Sequence, residues 1–463
     1  MQVFGHPRGC GPNPTGGMQL RLRLTLVALA VLITNVVFLG PSTGHPGNLM
    51  EEDSYKRVAA RQIVHRAIAG DALEARASAA VTVPTEGEAP CVDGMSAGTY
   101  PCDGVDMMSR LSLADLGLTF GNDIWGWTDP ETGTDYALMG GSEGTTIVDI
   151  SSPRNPDVVG ILPTHTTAGG DFWRDIKVYQ NHMYVGSENS GHGIQVFDLT
   201  EVRGVTGDPV TFSATNRYTG VGNSHNIHIN EDTGYLYIVG SGTCSGGLHM
   251  ADISDPASPE FAGCFADHGY IHDTQCVIYD GPDVDHQGSE ICFNSNPAGG
   301  HNVSIVDVTD KANPVALSRI SYENTGYSHQ GWLTPDSRFF LHGDELDEAG
   351  HGIGTTTRVW NVTDLDDPVL ENTFENDTSS IDHNMYTEGN ASYHSNYTSG
   401  LRVYDNRNLP ELTEERFFDL YPENDNPSFE GGTWSNYPYF SQNNRIVAVS
   451  SIDRGLFILR VRG

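Results

Sequence analysis

Short hydrophobic runs, separated by Gly, Asn, Asp and Pro, fill the chain from about residue 104 onward, with almost no helical periodicity. Runs of this kind at regular spacing are typical of a β-sandwich, a β-barrel or a β-propeller. A unit divides into four predicted strands, as in "HNIHIN", "GYLYIVGS", "GLHMADIS" and "PEFAGCFAD" between residues 225 and 267. The pattern predicts an all-β domain, and internal repetition decides among the three architectures.

One phrase recurs along this domain, a hydrophobic strand that ends in Asp or Asn before a turn, as in "TTIVDISSPRNP" and "VSIVDVTDKANP". The landmark residues of its copies are Asp149, Asp198, Asp252, Asp307, Asn361 and Asp405. Their intervals of 49, 54, 55, 54 and 44 residues fit slightly enlarged four-stranded propeller blades of ~40–50 residues. The predicted inner strands begin near Asn122, Arg174, His225, His272, His329, His383 and Trp434. We therefore predict a seven-bladed β-propeller.

The last repeat contains only three predicted strands. A propeller ring closes most stably when an N-terminal segment supplies the missing strand, because this pairs two exposed strand edges at once. The segment "VDMMSRLSL", residues 105–113, is predicted to be that strand.

The N-terminal part of the chain has a different composition. Arg21 and Arg23 precede an apolar run over residues 24–39, and small and turn residues follow it, which is the order found in a secretory signal. Residues 1–43 are predicted to be a signal peptide or, if uncleaved, a signal anchor. Residues 44–90 are predicted to be a poorly ordered or helical linker, and residues 91–463 the propeller.

The cysteines indicate an oxidising compartment. Cys10 precedes the apolar run, and the other six show no CxxC pair and no zinc-finger spacing, so disulfides are the better explanation. Proximity in sequence favours three pairs among the fifteen pairings possible: Cys91 with Cys102, Cys244 with Cys264, and Cys276 with Cys292. Five glycosylation sequons begin at Asn302, Asn361, Asn376, Asn390 and Asn396. We expect a secreted, extracellular or cell-surface protein.

Charge narrows the possible partners. The sequence has 60 Asp and Glu against 25 Lys and Arg, a net charge of −35. Nucleic acids and anionic lipids need cationic surface, so both are excluded as partners of the folded part. Membrane contact is expected only through an uncleaved N-terminal segment, and the partner is an unknown extracellular ligand or protein.

The repeated "IVDIS-x-P" phrase resembles the LVIVD repeat. The strings "HDTQCVIYDGPD", "SHQGWLTPD", "GDELDE" and "SGLRVYD" are similar to the choice-of-anchor B family of surface-exposed, propeller-like proteins. The resemblance covers the chain from about residue 91 to its C-terminus. It implies an exported propeller and implies no particular reaction.

Four of the predicted inner strands open with a histidine, namely His225, His272, His329 and His383. Inner strands line the central channel of a propeller, and equivalent positions lie at one height, so these imidazoles are predicted to converge. Neutral imidazoles are good ligands for zinc, copper, iron and nickel. The four histidines are therefore predicted to be ligands of a transition metal.

The residue after each histidine offers an alternative, because neighbours on a strand point to opposite faces. If these second residues face the channel, they form a polar ring that prefers calcium or a polar ligand. Arg174 would repel a metal ion but could bind an anionic substrate. The predicted ligand-binding residues are Asp123, Arg174, Asp175, Asn226, Asp273, Gln330 and Asn384.

Carboxylates are expected on the same face, where the second strand of each blade ends. Glu188, Asp344 and Glu345 are the candidates for acid/base catalysis, with Glu143, His192 and His394 close by. Two functions therefore stay open, a binding or interaction module with a His-rich ligand site and a metal-dependent hydrolase or oxidoreductase. A purely structural role in an envelope or matrix is a third possibility.

Overall fold

A computed structural model of the chain describes residues 88–170, 173–440 and 445–463. These residues form seven sheets, each containing the four antiparallel strands of one blade. The predicted all-β, seven-bladed β-propeller is confirmed. The predicted signal segment 1–43, Cys10 and the predicted linker as far as residue 87 lie outside the described residues.

The N-terminal segment and the first three blades follow one another along the chain. The segment consists of β1 (Met95–Ser96), β2 (Tyr100–Asp103), β3 (Val105–Leu111) and the short helix α1 (Leu113–Leu116). Blade 1 consists of β4 (Gly121–Thr128), β5 (Asp135–Gly141), β6 (Gly144–Asp149) and β7 (Asp157–Pro163). Blade 2 consists of β8 (Arg174–Tyr179), β9 (His182–Ser187), β10 (Ile194–Asp198) and β12 (Asn216–Tyr218), with a 3-10 helix (Leu199–Val202); β11 (Val210–Thr211) joins β7. Blade 3 consists of β13 (Ile227–Asn230), β14 (Tyr235–Ile238), β15 (Leu248–Asp252) and β16 (Glu260–Phe265), with a 3-10 helix (Cys244–Gly246).

The remaining four blades repeat this order. Blade 4 consists of β17 (Asp273–Ile278), β18 (Glu290–Asn296), β19 (Asn302–Asp307) and β20 (Val315–Ser321). Blade 5 consists of β21 (Ser328–Leu333), β22 (Phe339–Asp344), β23 (Thr356–Asn361) and β24 (Val369–Glu375), with helix α2 (Asp347–His351). Blade 6 consists of β25 (Met385–Glu388), β26 (Ala391–Asn396), β27 (Gly400–Asp405) and β28 (Thr413–Phe418), and β2 and β1 extend it. Blade 7 consists of β29 (Thr433–Tyr437), β30 (Ile446–Ser451) and β31 (Gly455–Val461), completed by β3.

The ring is closed by the N-terminal strand, as predicted. Strand β3 pairs antiparallel with β31, from Val105 opposite Val461 to Leu111 opposite Leu456. Buried Asp106 of β3 accepts a hydrogen bond from Arg460 at 2.9 Å. The first and last parts of the propeller therefore share one sheet, which leaves no unpaired edge on β31.

Hydrophobic cores fill the space between neighbouring blades. One such cluster packs Ile291 and Phe293 of blade 4 against Leu333, Phe340 and Trp360 of blade 5. Trp360 comes from the repeated strand phrase, and the other four side chains come from β18, β21 and β22. Alternate residues of a strand share a face, so each strand contributes to one core. Rigid contact between blades in turn fixes the positions of the inner strands.

The three predicted disulfides are confirmed. Cys91–Cys102, Cys244–Cys264 and Cys276–Cys292 join Cα atoms 6.0, 5.6 and 4.0 Å apart. The sequons differ in exposure, since Asn302 and Asn396 are buried and Asn390 is exposed. Within the described ranges, no helix is long and apolar enough to cross a membrane.

Candidate functional site

Each blade places one aromatic or imidazole ring at or near the start of its inner strand. We call this set the mouth ring; its members are Phe120, Trp173, His225, His272, His329, His383 and Trp434. The imidazoles occupy blades 3 to 6, and their centroids are 4.1 Å apart for His225 and His272, 4.1 Å for His272 and His329, and 4.4 Å for His329 and His383. The structure therefore brings the four predicted histidines into one continuous arc.

The other half of the mouth ring is apolar. The ring centroids of Trp434 and His383 are 4.7 Å apart, and Trp173 stacks on Trp434 with ring centroids 5.2 Å apart. Phe120 packs 5.8 Å from Trp173. Trp173 and Trp434 belong to blades 2 and 7, and blade 1 lies between these blades. Their contact therefore joins two blades that are not adjacent in the ring. The sequence does not predict this contact, since a lone tryptophan near a strand carries no signal of a channel position.

Hydrogen bonds fix the orientation of three imidazoles. The Nδ1 atom of His272 lies 2.8 Å from the carbonyl oxygen of His329, and that of His383 lies 2.5 Å from the carbonyl oxygen of Trp434. A carbonyl only accepts, so both Nδ1 atoms donate and the lone pair of each neutral ring is on Nε2. The Nδ1 atom of His225 is 2.6 Å from Oε1 of Glu188. A metal-binding histidine is commonly held in this way through its other ring nitrogen.

Two of the histidines form a compact donor group with a carboxylate. Oε2 of Glu345 is 3.6 Å from Nε2 of His329, and Oε1 is 3.5 Å from Nε2 of His383. One donor atom from each residue lies within 4.8 Å of the other two. His329, His383 and Glu345 are 1%, 3% and 0% exposed, and Tyr397 donates a hydrogen bond to Glu345 at 2.9 Å. Two imidazoles and one carboxylate match the donors that zinc and iron prefer.

The inner strands open with two successive polar residues, which we call a polar pair. The second residues of these pairs connect neighbouring blades. Several of these side chains accept a hydrogen bond from a backbone N–H group in the inner strand of the next blade. The contacts are Asp123 Oδ2 with Ile176 N at 2.9 Å, Asp175 Oδ2 with Ile227 N at 2.6 Å, and Gln330 Oε1 with Met385 N at 3.0 Å. Asn226 donates to Asp273 at 3.1 Å, and Asn384 is buried. These contacts position the inner strands; the ligand-binding role of the set stays a prediction.

Further charged side chains lie beside these residues that connect the blades. Lys177 is buried, pairs with Asp175 at 2.6 Å and stands 4.6 Å above the ring of Trp125. Burial, followed by the negative charge of Asp175, raises the pKa of Asp273 to about 7. Arg174 donates to the backbone oxygens of Gly141 and Ser142 at 2.6 and 3.2 Å. Sequence reasoning missed Lys177, although it stands two residues after Asp175 and therefore on the same strand face.

The three acid/base candidates have different surroundings. Glu188 holds His225, and Glu345 belongs to the compact donor group. Asp344 accepts hydrogen bonds from Gly326 N at 3.0 Å and from the Tyr322 hydroxyl at 2.8 Å, which anchors the loop before β21. Two neighbours named with them titrate far from neutrality, because burial lowers the pKa of His192 to about 4 and that of His394 to about 3.

Two further groups with metal-ligand character were not assembled by sequence reasoning. Asp347, Glu348 and Asp382 are buried, and one oxygen of each lies within 4.8 Å of the others. A second group near the surface contains Asp283, His286 and Asp366. Such groups join residues from separate segments of the chain, so spacing within one segment gave no signal.

Comparison with known protein families supports the resemblance to the LVIVD repeat. The LVIVD repeat matches residues 134–164 and 221–267, which contain strands β5 to β7 of blade 1 and all four strands of blade 3. No curated protein matches the chain. The resemblance to the choice-of-anchor B family stays a prediction.

Three of the solved structures that match have little sequence identity to this chain. The computationally designed Ika8 protein is 11% identical and has a TM-score of 0.43, with 70% of this chain and 80% of that chain covered. A putative 6-phosphogluconolactonase from Bacteroides fragilis is 14% identical, with a TM-score of 0.45 and coverage of 63% and 82%. A functionally unknown protein from Desulfotomaculum acetoxidans is 11% identical, with a TM-score of 0.46 and coverage of 68% and 89%. On its own strand topology the chain is a seven-bladed β-propeller, and two of its segments match the LVIVD repeat.

Proposed function

We propose that this protein is an extracellular β-propeller binding module whose mouth ring holds a transition metal ion between His329, His383 and Glu345. The observation that carries the proposal is the close approach of these three buried donors. Export is supported by the three disulfides and by the signal predicted from residues 1–43.

The distances between donor atoms suit a small ion. Ligands at about 2.0–2.2 Å around a tetrahedral zinc ion place their donor atoms about 3.3–3.6 Å from one another. Oε2 of Glu345 is 3.6 Å from Nε2 of His329, and Oε1 is 3.5 Å from Nε2 of His383. An ion held by one carboxylate oxygen and both imidazoles would draw these donor atoms, which lie within 4.8 Å of one another, closer together.

Electrostatics favour the same position. An ionised carboxylate with no exposed surface is costly unless a cation or several donors compensate it. Glu345 is 0% exposed and faces two imidazoles. A divalent cation at this position would offset the charge of the carboxylate.

The rest of the mouth ring would determine which ligand binds. Three protein ligands leave at least one coordination position for an incoming group. His225 and His272 lie on one side of the donor group, and Trp434 and Trp173 lie on the other. We expect a ligand with a metal-binding polar end and an apolar or aromatic body.

Metal content tests the proposal. Protein dialysed against zinc and then against metal-free buffer should retain about one zinc ion per chain at this site. His329→Ala and His383→Ala should each lower the affinity for zinc by at least about tenfold. His165→Ala is the matched control, because His165 is exposed and lies outside the compact donor group.

Two results would refute the metal site. One is an absence of zinc from the folded wild-type protein after dialysis. The other is an unchanged zinc affinity in both variants, with circular dichroism showing that each is folded.

A metal-dependent enzyme is the second candidate, and the contact between Glu188 and His225 favours it. A carboxylate 2.6 Å from an imidazole orients the ring and can stabilise its protonated form, as an acid/base pair requires. This pair lies on the same arc as the proposed metal ligands.

A further inference from the structure

We propose a second cation site in this propeller, formed by Asp347, Glu348 and Asp382, which binds a hard divalent cation of the calcium type. This site is separate from the donor group of the mouth ring and does not depend on the function proposed above. All three of its side chains supply oxygen donors.

The three carboxylates come from two segments that the fold brings together. Asp347 and Glu348 lie in the first turn of α2, which follows β22 of blade 5. Asp382 lies just before β25 of blade 6. One oxygen from each carboxylate is within 4.8 Å of the other two, and the residues are 0%, 1% and 1% exposed.

Asp382 provides an independent indication of a ligand. Among the described residues, neither of its carboxylate oxygens has a hydrogen-bond partner, although the residue is 1% exposed. Buried polar atoms in folded proteins are nearly always bonded, and an exception calls for an explanation such as a bound ion. The carboxylate of Asp382 is directed into the group formed with Asp347 and Glu348.

The charge of the group is not balanced by the nearby arginine. Arg358 donates to Oδ2 of Asp347 at 2.8 Å and stacks on the ring of Tyr322 at 4.4 Å. One guanidinium opposes three carboxylates, and two further acidic residues, Glu345 and Asp344, stand two and three residues before the start of α2. A divalent cation would neutralise the remaining two negative charges.

The backbone also makes room for Asp382. A Cβ atom added to Gly343 would lie 1.8 Å from Oδ2 of Asp382. Glycine at this position of β22 therefore allows the carboxylate to approach the backbone closely. The variant Gly343→Ala would displace the carboxylate without removing any charge.

The donor atoms determine the class of ion. Calcium takes six to eight oxygen ligands at about 2.3–2.6 Å, and carboxylates are its usual protein ligands. Imidazole nitrogen suits zinc, copper and iron instead. The adjacent residues His383 and Asp382 would thus serve two different ions.

Calcium titration of the metal-depleted, full-length protein tests this site, with terbium luminescence as a second readout. Asp382→Asn and Glu348→Gln keep the side-chain shape and should each weaken calcium binding at least tenfold. Gly343→Ala should weaken it as well. His329→Ala is the matched control and should lose zinc while binding calcium as the wild type does.

Three results would overturn the calcium site. These are an absence of calcium binding by the wild type up to about 10 mM, an unchanged calcium affinity in Glu348→Gln and Asp382→Asn, and a preference for magnesium over calcium. Because zinc is measured on the same samples, failure of this site and failure of the mouth-ring site give different results.

Discussion

At the scale of single residues, the alternation of side chains along a strand separates two roles. His329 belongs to the mouth ring, whereas Gln330, the next residue, bonds to the backbone of Met385 in the following blade. The two members of each polar pair were indistinguishable in the sequence, because a pattern of residue types does not say which face of a strand is inside. The contacts place His329 in the mouth ring and show that Gln330 joins blade 5 to blade 6.

Asp419, a buried carboxylate outside the mouth ring, tests whether burial raises a pKa as the structure indicates. Burial raises the pKa of Asp419 to about 6, against the effects of its bond from Tyr421 N and the charges of Arg402 and Arg454. An aspartate in the unfolded chain titrates near 3.9, so between about pH 4 and 6 the folded state binds more protons than the unfolded state. The contribution of Asp419 to stability therefore falls as pH rises through this window.

Urea unfolding at pH 4 and pH 7 measures this effect. Asp419→Asn should become more stable relative to wild type as pH rises, by at most about 1.4 kcal/mol per pH unit. Asp405→Asn is the control, because the hydrogen bond from Arg407 lowers the pKa of Asp405. Its effect on stability changes mainly below about pH 4, so its difference from wild type should vary little between pH 4 and pH 7. A constant difference between Asp419→Asn and wild type at both pH values would contradict the raised pKa.

At the scale of elements, the hydrophobic pattern and the repeat spacing were sufficient to predict the blades and the strand that closes the ring. Strand β3 spans Val105–Leu111, inside the predicted segment 105–113. The helix α2 was not foreseen, since a single turn within "GDELDEAGHG" has too few residues to show helical periodicity. Its absence from the prediction is why Asp347 and Glu348 were not associated with Asp382.

Removing β3 tests the closure of the ring. A chain that starts at residue 88 retains β3, whereas a chain that starts at residue 113 leaves β31 as an exposed edge. The shorter chain should unfold at a lower temperature and should associate into larger species, because unpaired edges pair with other chains. Thermal unfolding and size-exclusion chromatography measure both effects, and equal behaviour of the two chains would contradict the role assigned to β3.

At the scale of the whole molecule, the ring of blades brings equivalent positions of the sequence repeats close together. Histidines about 50 residues apart in the sequence become neighbours, and the arc from His225 to His383 forms because each stands at an equivalent position of its blade. This arc could be predicted from the repeats alone. The aromatic half of the mouth ring could not, since it depends on contacts across the channel. Glu345 was expected on the same face as the histidines, but its closeness to two particular imidazoles depends on the path of a loop.

Anomalous diffraction from zinc-equilibrated crystals, recorded at the zinc absorption edge, tests the central claim most directly. We predict a peak about 2.0–2.2 Å from Nε2 of His329, Nε2 of His383 and a carboxylate oxygen of Glu345. Ordered side chains at this position with no anomalous peak between them would contradict the account.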